Sequence, residues 1–314
     1  MKLIVMGTGK RAQSYVHVAR QQSEVSGIGI WSRNTARAKE LADQWGVGQA
    51  LDDNDFRMAD AFIVTNAPED HATTIALARI HRKPMLLEKP ITMDAQETSQ
   101  ILRSLNSENI PFAVAFGKRL NRTTRRALDF ISSSGTPLEA TVTFWSHAGD
   151  NPAAVRQWLL LEGIHSLDLL FFLFAPFPAP DAGKAPDVPA AVFHAGAWRW
   201  HVSGAWPYPL HVVLYPFARA LHRNAMIEIR SGSQRLYVDD LSTGDEPTRP
   251  YRVRRLEWFI TNLKCRLAWV ATSRSILKEF IRMMRGQESP LAQGDLAASQ
   301  ILCEQLGRTL PPLA

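Results

Sequence analysis

Short apolar runs alternate with helix-like stretches through the first third of the chain. Five apolar runs have the length of strands, at residues 2–6, 25–31, 61–65, 84–87 and 112–116. The stretches between them have helical composition, at residues 10–22, 35–45, 71–81 and 94–106. Strands that alternate with helices at this spacing are typical of βαβ units, so the pattern predicts a parallel sheet covered by helices.

The pattern changes after about residue 120, where strands no longer alternate regularly with helices. A hairpin is predicted around Ser231-Gly232-Ser233, which separates two strand-like runs. We therefore expect an α+β second domain with a largely antiparallel sheet. Its predicted elements are helix 121–133, strand 138–147, apolar helix 152–175, a loop rich in proline, alanine and glycine at 175–190, strands within 191–240, and helices 252–285 and 295–307.

Length and cysteine usage limit the architecture. The chain has 314 residues, 46% of them hydrophobic, and at about 100–200 residues per domain this length suggests two domains. We place them at 1–120 and 121–314, and the last helices could pack back on the first domain. Cys265 and Cys303 have no zinc-ligand spacing, so we expect neither a metal nor a disulfide. The N-terminus lacks the features of a signal peptide, which favours a cytoplasmic protein.

Two features raise the question of a membrane or nucleic-acid partner. The most hydrophobic segment, 158–177, contains Glu162, His165 and Asp168, whose ionisable side chains are costly in a bilayer, so a buried helix is expected. The net charge is +6, and a basic stretch runs from Arg249 to Arg274 without any nucleic-acid motif. A mildly basic surface explains this charge, and an anionic ligand is the alternative. We expect neither a membrane nor nucleic acid as a partner.

A glycine-rich loop joins the first predicted strand to the first predicted helix. Its pattern is Gly7-x-Gly9-x-x-Ala12, in which the glycines allow a tight turn and a close approach of the backbone to a pyrophosphate. The helix N-terminus that follows offers N–H groups to an anion. This context predicts a doubly wound Rossmann domain that binds a dinucleotide, and a tight turn without a ligand is the alternative. The candidate contacts are Gly7, Thr8, Gly9, Lys10, Arg11 and Ala12.

The choice between NAD and NADP depends on the end of the second predicted strand. A carboxylate there would bind the ribose 2′-hydroxyl and favour NAD, but this chain has Ser32 and Arg33. Arg33 could pair with a 2′-phosphate or stack on adenine, and Arg37 and Arg11 could lie nearby. These residues favour NADP, with NAD possible. The alternative is that Arg33 only caps an exposed helix start.

Several separated motifs resemble those of one family, in the same order and at similar intervals. They are residues 59–68 followed by His71, residues 83–90, residues 116–119 and residues 163–168. They resemble the glucose-fructose oxidoreductase/inositol dehydrogenase (Gfo/Idh/MocA) family over essentially the whole chain, and Glu88-Lys89-Pro90 is the most specific of them. The resemblance implies hydride transfer with a nicotinamide cofactor. It adds cofactor contacts at Thr65, Asn66, Ala67, His71, Glu88, Lys89 and Pro90.

The resemblance also implies two catalytic residues. Lys89 would direct its ammonium group toward the nicotinamide ribose and the substrate oxygen, where it could stabilise negative charge or relay a proton; the alternative is a surface lysine. His165 matches the family histidine that exchanges a proton with the substrate hydroxyl; the alternative is a core histidine bonded to Asp168. The spacing of Glu162, His165 and Asp168 predicts that they share one broad helix face.

One position departs from the family pattern. Sugar and polyol dehydrogenases of the family usually have an aspartate four residues before the histidine, where this chain has Leu161. Glu162 is adjacent but would point about 100° away on a helix. Oxidation of an alcohol needs a base and is therefore put in more doubt than reduction of a carbonyl or imine.

These observations lead to one expected function and two alternatives. We expect an NADP-dependent oxidoreductase acting on a carbon of a sugar, polyol or related small metabolite, in a homodimer or homotetramer. The alternatives are an imine or carbonyl reductase in a biosynthetic pathway and a non-catalytic dinucleotide-binding sensor. Candidate substrate contacts are Arg119, Trp158, Glu162 and Asp168. Arg156, Trp198 and Trp200 could also line the cleft, although packing suits the tryptophans better.

Overall fold

The computed structural model describes most of the chain. The residues described are 1–49, 53–134, 138–149, 151–174, 188–194, 197–202, 209–216, 225–239, 243–244, 255–292 and 297–310. The predicted loop at 175–190 lies outside them up to residue 187, as do the side chains of the basic stretch up to residue 269.

The chain divides into two compact units. One contains Met1–Gly117 and Lys264–Leu296, and the other contains Lys118–Leu263 and Ala297–Ala314. The functional division predicted at about residue 120, with the cofactor before it and the substrate after it, stays a prediction.

The first unit is built on a six-stranded sheet in which every neighbouring pair of strands is parallel. Its strands are β1 (Lys2–Met6), β2 (Gly27–Trp31), β3 (Gly48–Gln49), β4 (Ala61–Val64), β5 (Met85–Leu87) and β6 (Phe112–Val114). Its helices include α1 (Lys10–Ala19), α2 (Thr35–Trp45), α3 (Asp53–Arg57), α4 (Pro68–Arg79) and α5 (Ala95–Ser107). The strand order β3-β2-β1-β4-β5-β6 is that of a dinucleotide-binding Rossmann sheet. The predicted fold of this part is confirmed.

The strand order places a crevice where ligands bind in such sheets. The chain reverses its direction of winding between β1 and β4, and ligands bind outside the carboxyl ends of the strands at this point. The four residues of β4 and the three of β5 are all buried. They form a rigid base, and the loops that follow these strands are held at the crevice.

The second unit is built on a seven-stranded sheet of mixed direction. Its elements are α6 (Arg122–Ser133), β7 (Leu138–Trp145), α7 (Pro152–Trp158), α8 (Ile164–Phe174), β8 (Val192–His194), β9 (Ala197–Val202), β10 (Leu210–Tyr215), β11 (Ala225–Ser231), β12 (Gln234–Asp239), β13 (Thr243–Gly244) and α10 (Ala298–Arg308). The order is β13-β12-β11-β7-β10-β9-β8, and only the pair β7–β10 is parallel among the described strands. The predicted largely antiparallel sheet and its Ser-Gly-Ser hairpin are confirmed.

One face of this sheet is buried and the other is half-buried. The eight residues of β7 alternate regularly between the two states, beginning with buried Leu138. Such alternation is what a sheet covered on one face produces. Helix α8 is almost entirely buried and belongs to the apolar core. The stretch Pro152–Phe174 is long and apolar enough to cross a membrane, but 67% of its most apolar window is buried inside the protein.

One long helix contributes to the first unit although it follows the second sheet in sequence. Helix α9 spans Arg255–Met284, and its residues from Lys264 onward belong to the first unit. Ser273 is fully buried there, and its hydroxyl lies 2.8 Å from the hydroxyl of Ser14 on α1. Further along α9, the side chains of Ile276, Leu277 and Phe280 are also buried. Helix α9 therefore contributes side chains to the core of the first unit.

Candidate functional site

Gly7 occupies a position that only glycine fits. Its φ is 146°, and a Cβ added there would lie 2.6 Å from Thr65 Oγ1 and 2.8 Å from the backbone nitrogen of Asn66. The Gly7 N–H donates to the carbonyl of Trp31 at 2.9 Å. The ends of β1, β2 and β4 therefore meet at this one residue. The tight turn predicted from the glycine loop follows from this close approach of backbone.

The start of α1 leaves room for an anion. Gly9 is the N-cap of α1 and has no side chain to cap it, and a Cβ added there would meet nothing within 4 Å. The first turn of α1 contains no acidic residue, while Ala12 is fully buried against the unit's core. Thr8 is half-buried and Lys10 is exposed. Helix N–H groups in such an uncapped position bind phosphates readily.

Glu88 is held by two residues of α1. Tyr15 donates its hydroxyl proton to Glu88 Oε1 at 3.0 Å, and Arg11 Nε lies 3.4 Å from the same oxygen. Glu88 is 5% exposed. Burial, followed by the charge of Glu88, raises the pKa of Tyr15 well above its ordinary value, so the phenol remains a donor. Arg11 is thus directed to the end of β5.

His71 joins the loops that follow β4 and β5. Its Nδ1 lies 2.9 Å from the Pro90 carbonyl oxygen and 3.1 Å from that of Ile91, and its Nε2 lies 2.8 Å from the Asn66 carbonyl oxygen. The ring is 1% exposed. Burial lowers the pKa of His71, against the opposing effect of these carbonyl groups. The ring of this predicted cofactor residue therefore lies between two loops that border the crevice, and in its neutral form it donates its single N–H to one of them.

Asn66 presents a polar atom that the described residues leave unsatisfied. Its Nδ2 donates to Thr74 Oγ1 at 2.9 Å, whereas its Oδ1 is buried and has no hydrogen-bond partner among the described residues. The neighbouring Thr65 donates its hydroxyl proton to the Met6 carbonyl at 3.2 Å, and Ala67, which precedes α4, is exposed. A buried acceptor of this kind calls for a donor. A dinucleotide has hydroxyl and amide donors, so the residues at this edge fit such a cofactor.

Lys89 lies at the same edge. It is the second residue after β5, is half-buried, and its peptide bond with Pro90 is cis. Its backbone N–H donates to Glu88 Oε2 at 3.3 Å. Because Glu88 is fixed by α1 and Pro90 by His71, the backbone on both sides of Lys89 is held in place. The structure therefore places this candidate catalytic residue on a constrained segment at the carboxyl edge of the sheet.

The end of β2 carries the residues expected to choose between the two cofactors. Ser32 Oγ accepts the Asn34 N–H at 3.2 Å, and Asn34 caps α2 by accepting the Arg37 N–H at 3.0 Å. Asn34, and not Arg33, is therefore the cap of this helix. The Arg33 guanidinium instead forms an ion pair with Asp70, in the first turn of α4. Arg37 pairs with Glu40 at 2.6 Å.

A buried ion pair occupies the second unit. Arg119 Nε and Nη2 donate to the two carboxylate oxygens of Asp168 at 2.8 and 2.5 Å, and both side chains are 1% exposed. Burial raises the pKa of Asp168 and the Arg119 charge opposes that rise. These two groups satisfy each other away from solvent, and the contact with substrate predicted for them stays a prediction. Nearby, Lys118 Nζ donates to Ser166 Oγ at 2.8 Å.

The helix that carries His165 is interrupted by a wider turn. Leu159–Gly163 form a π-helical turn between α7 and α8. This turn rotates the residues before it relative to those after it, so angles taken from a regular α-helix do not apply across it. Glu162 is exposed, His165 is half-buried and Asp168 is fully buried. His165 and Asp168 both lie on α8, where the spacing of a regular helix applies, whereas Glu162 lies in the wider turn, where it does not.

The candidate aromatic residues of the second unit belong to its core. Trp158, Trp198 and Trp200 are 6%, 1% and 2% exposed. Trp158 meets Phe144 edge-on, with 5.6 Å between ring centroids. Arg156 is also engaged within this unit, because its Nε donates to the Gly307 carbonyl at 2.7 Å. The three tryptophans are packed in the core of this unit, and the substrate contact predicted for Trp158 stays a prediction.

Three residues of these arrangements were missed by sequence reasoning. Tyr15 and Asp70 lie one helical turn or less from predicted residues, but only the folded chain shows that they contact Glu88 and Arg33. Lys118 precedes a predicted residue and was likewise not singled out. Among the described residues no group of three or more histidine, cysteine, aspartate or glutamate side chains could hold a metal ion.

The sheet order and the glycine loop define a dinucleotide-binding protein of the Rossmann class. Residues 1–116 match the family described as GFO_IDH_MocA, an oxidoreductase family with an NAD-binding Rossmann fold. This match confirms the resemblance to the Gfo/Idh/MocA oxidoreductase family that was found in the sequence motifs.

Several proteins similar to this chain are named dehydrogenases. The chain is 27% identical over 157 residues to D-xylose 1-dehydrogenase (NADP(+)) 2 of Haloferax volcanii, and the match spans 48% of this chain and 48% of that protein. The match therefore covers about half the length of that relative. Two solved structures share the fold, each with a TM-score of 0.69. They are UDP-N-acetylglucosamine 3-dehydrogenase GnnA from Acidithiobacillus ferrooxidans (16% identity, 99% of this chain and 97% of that one) and a dehydrogenase, MviM, from Clostridium difficile (12% identity, 99% of both).

Proposed function

We propose that this protein is an NADP-dependent oxidoreductase that transfers a hydride between nicotinamide and a carbon of a sugar, polyol or related small metabolite. The observation that carries the proposal is the construction of the β1–β4 crevice, where Gly7 packs against Thr65 and Asn66 keeps a buried acceptor unsatisfied. The named activity of the Haloferax volcanii relative, a xylose dehydrogenase, supports a sugar as the substrate class.

The preference for NADP rests on the end of β2. Ser32 and Arg33 stand where a carboxylate would bind the ribose hydroxyls of NAD. A guanidinium pairs bidentately with phosphate, and the Arg33 side chain is 62% exposed, so its charge is accessible to a ligand. The name of the Haloferax volcanii relative specifies NADP(+). These points support NADP as the preferred cofactor and leave NAD usable.

Lys89 and His165 would handle the proton in this reaction. The nicotinamide supplies or accepts the hydride when the cofactor is bound. An ammonium group at Lys89 would stabilise the negative charge that develops on the substrate oxygen, and could donate the proton during reduction. His165 would exchange a proton with the substrate hydroxyl. The clamped backbone on both sides of Lys89 suits this role, because catalysis requires groups fixed in position.

Leu161 favours a second candidate within the same class. Without the family aspartate beside His165, reduction of a carbonyl or imine demands less of the protein than oxidation of an alcohol. The π-helical turn at Leu159–Gly163 is a further irregularity at this position. A non-catalytic sensor that binds the dinucleotide is the remaining alternative.

Replacing Lys89 tests the catalytic proposal. In Lys89→Ala we expect turnover to fall by at least about 100-fold, because proton transfer by a positioned group contributes about that much. We expect NADPH affinity to change by no more than about threefold, which is under 1 kcal/mol. Turnover would be measured with D-xylose and other aldoses, polyols, ketones and imines. Lys83→Ala is the matched control, since Lys83 lies at the opposite, amino end of β5.

The outcomes of this experiment separate the alternatives. Retained turnover in Lys89→Ala would show that Lys89 is not catalytic. Turnover only in the reducing direction would favour the carbonyl or imine reductase. Binding of NADPH without turnover of any compound in the panel would favour the sensor.

We also propose an oligomeric state, a cellular location and the classes of partner for the protein. The half-buried face of the second sheet carries Trp145 stacked on Tyr215, with ring planes 9° apart, and charged residues around Glu139 and Glu228. A sheet face of mixed aromatic and charged residues suits contact with a second copy, so we propose a homodimer or homotetramer. A small molecule is the proposed substrate and the cytoplasm the proposed location, with neither nucleic acid nor membrane as a partner.

A further inference from the structure

The ion pair between Arg33 and Asp70 spans the crevice edge on which cofactor choice depends. Arg33 follows β2 and Asp70 lies in the first turn of α4, which follows β4. In the sheet, β2 and β4 are the two neighbours of β1. The ion pair therefore connects the segment after β2 with the first turn of α4, on either side of the glycine loop that follows β1. Both side chains remain accessible to solvent, at 62% and 36% exposure.

The same guanidinium cannot serve Asp70 and a 2′-phosphate equally well. To bind the phosphate, Arg33 must either leave Asp70 or hold the phosphate close to that carboxylate. Leaving Asp70 loses the energy of the ion pair. Holding the phosphate close to Asp70 places the negative carboxylate beside a phosphate group that carries nearly two negative charges. NAD(H) has a neutral hydroxyl at this position and meets neither obstacle.

We propose that Asp70 is a specificity-determining residue that competes with the 2′-phosphate for Arg33 and so limits the preference for NADP(H) over NAD(H). This inference rests on the proposed function, because it requires the dinucleotide to bind with its 2′ position near Arg33. The sequence alone indicated that residues at the end of β2 determine the choice between NAD and NADP. The inference adds the Asp70 carboxylate on α4 to those determinants. Asp70 acts through Arg33 and is not a catalytic residue.

The chain offers a close control for this proposal. Glu69 is the other acidic residue in the first turn of α4, and its side chain is exposed. Glu69→Gln removes the same charge from the same helix terminus as Asp70→Asn does. A general effect of net charge or of the helix dipole would therefore appear in both variants, whereas competition for Arg33 would appear only in Asp70→Asn.

The test is a set of fluorescence titrations with NADPH and NADH at one ionic strength. In Asp70→Asn we expect NADPH to bind about three- to tenfold more tightly, a range typical of an exposed ion pair with added repulsion, while NADH affinity stays within about twofold. Glu69→Gln is expected to match the wild type for both cofactors. Combining Asp70→Asn with Arg33→Ala is expected to remove most of the gain, because the competition needs Arg33. Thermal unfolding checks that each variant is folded.

Three results would overturn the inference. They are an unchanged ratio of the NADPH and NADH dissociation constants in Asp70→Asn, an equal gain in Glu69→Gln, and a gain that persists fully without Arg33. If one of these results is obtained and the wild-type protein still binds NADPH, the inference about Asp70 is wrong but the proposed function is unaffected. A wild-type protein that binds neither cofactor would instead contradict the proposed function, and this inference with it.

Discussion

At the scale of single residues, the crevice is organised by buried polar groups that fix one another. Glu88 is bound by Tyr15 and Arg11, and His71 reaches three carbonyl oxygens on two loops. Burying polar groups is favourable only when their hydrogen bonds are made, so each such group constrains the loops that supply its partners. The segment containing Lys89 is held from both sides in this way.

His71 makes stability depend on pH. Its pKa is lowered by burial, so the folded protein binds this proton less readily than the unfolded chain does. The free energy of unfolding should therefore be highest above the unfolded pKa of about 6.5, and should fall as the pH drops through and below that value, by up to about 1.4 kcal/mol per pH unit.

Urea unfolding at pH 7.5 and at pH 5.5 measures this dependence. We expect His71→Gln to be less stable than the wild type at pH 7.5 and to lose less stability on acidification. His17→Gln serves as the control, because His17 is exposed and its Nε2 lies 3.1 Å from the side-chain amide nitrogen of Gln21. An equal loss on acidification in the wild type and in His71→Gln would contradict the assignment.

At the scale of elements, the parallel strands and their helices follow from the sequence pattern. Each strand predicted in the first unit is present, and α2 begins and ends at the predicted residues. β3 and α3 were not predicted, because two and five residues are too few for periodicity to show. The π-helical turn was also missed, since the sequence Leu159–Gly163 is compatible with a regular helix.

The glycine loop gives a prediction that separates folding from cofactor binding. In Gly7→Ala the new Cβ would collide with the end of β4, and the backbone φ of 146° would become unfavourable. We expect a loss of about 1–3 kcal/mol of stability together with weaker binding of NADPH and NADH alike. Thermal unfolding and fluorescence titration measure the two effects.

Gly9→Ala is the matched variant. A Cβ at Gly9 meets nothing within 4 Å, so we expect stability to change by no more than about 0.5 kcal/mol. We expect both cofactors to bind more weakly, because that Cβ would enter the space left for the pyrophosphate. Unchanged affinity in Gly9→Ala would show that the pyrophosphate does not lie over this loop.

At the scale of the whole molecule, the two units differ in how much of their chemistry the sequence reveals. In parallel sheets of this kind, ligands bind at the carboxyl ends of the strands. The strands predicted in the first unit therefore indicated Gly7, Lys89 and Arg33 as candidate site residues. In the second unit, the role of Asp168 depends on Arg119, which lies 49 positions away and pairs with it only in the folded chain. Spacing along one helix could not reveal that pairing.

The most direct test of the central claim is a fluorescence titration of the unmodified protein with NADPH and with NADH, without any substrate. The structure of the crevice and the residues at the end of β2 predict saturable binding of both cofactors, with the lower dissociation constant for NADPH. Failure of both cofactors to bind would contradict the assignment of the crevice, and tighter binding of NADH would contradict the preference for NADP.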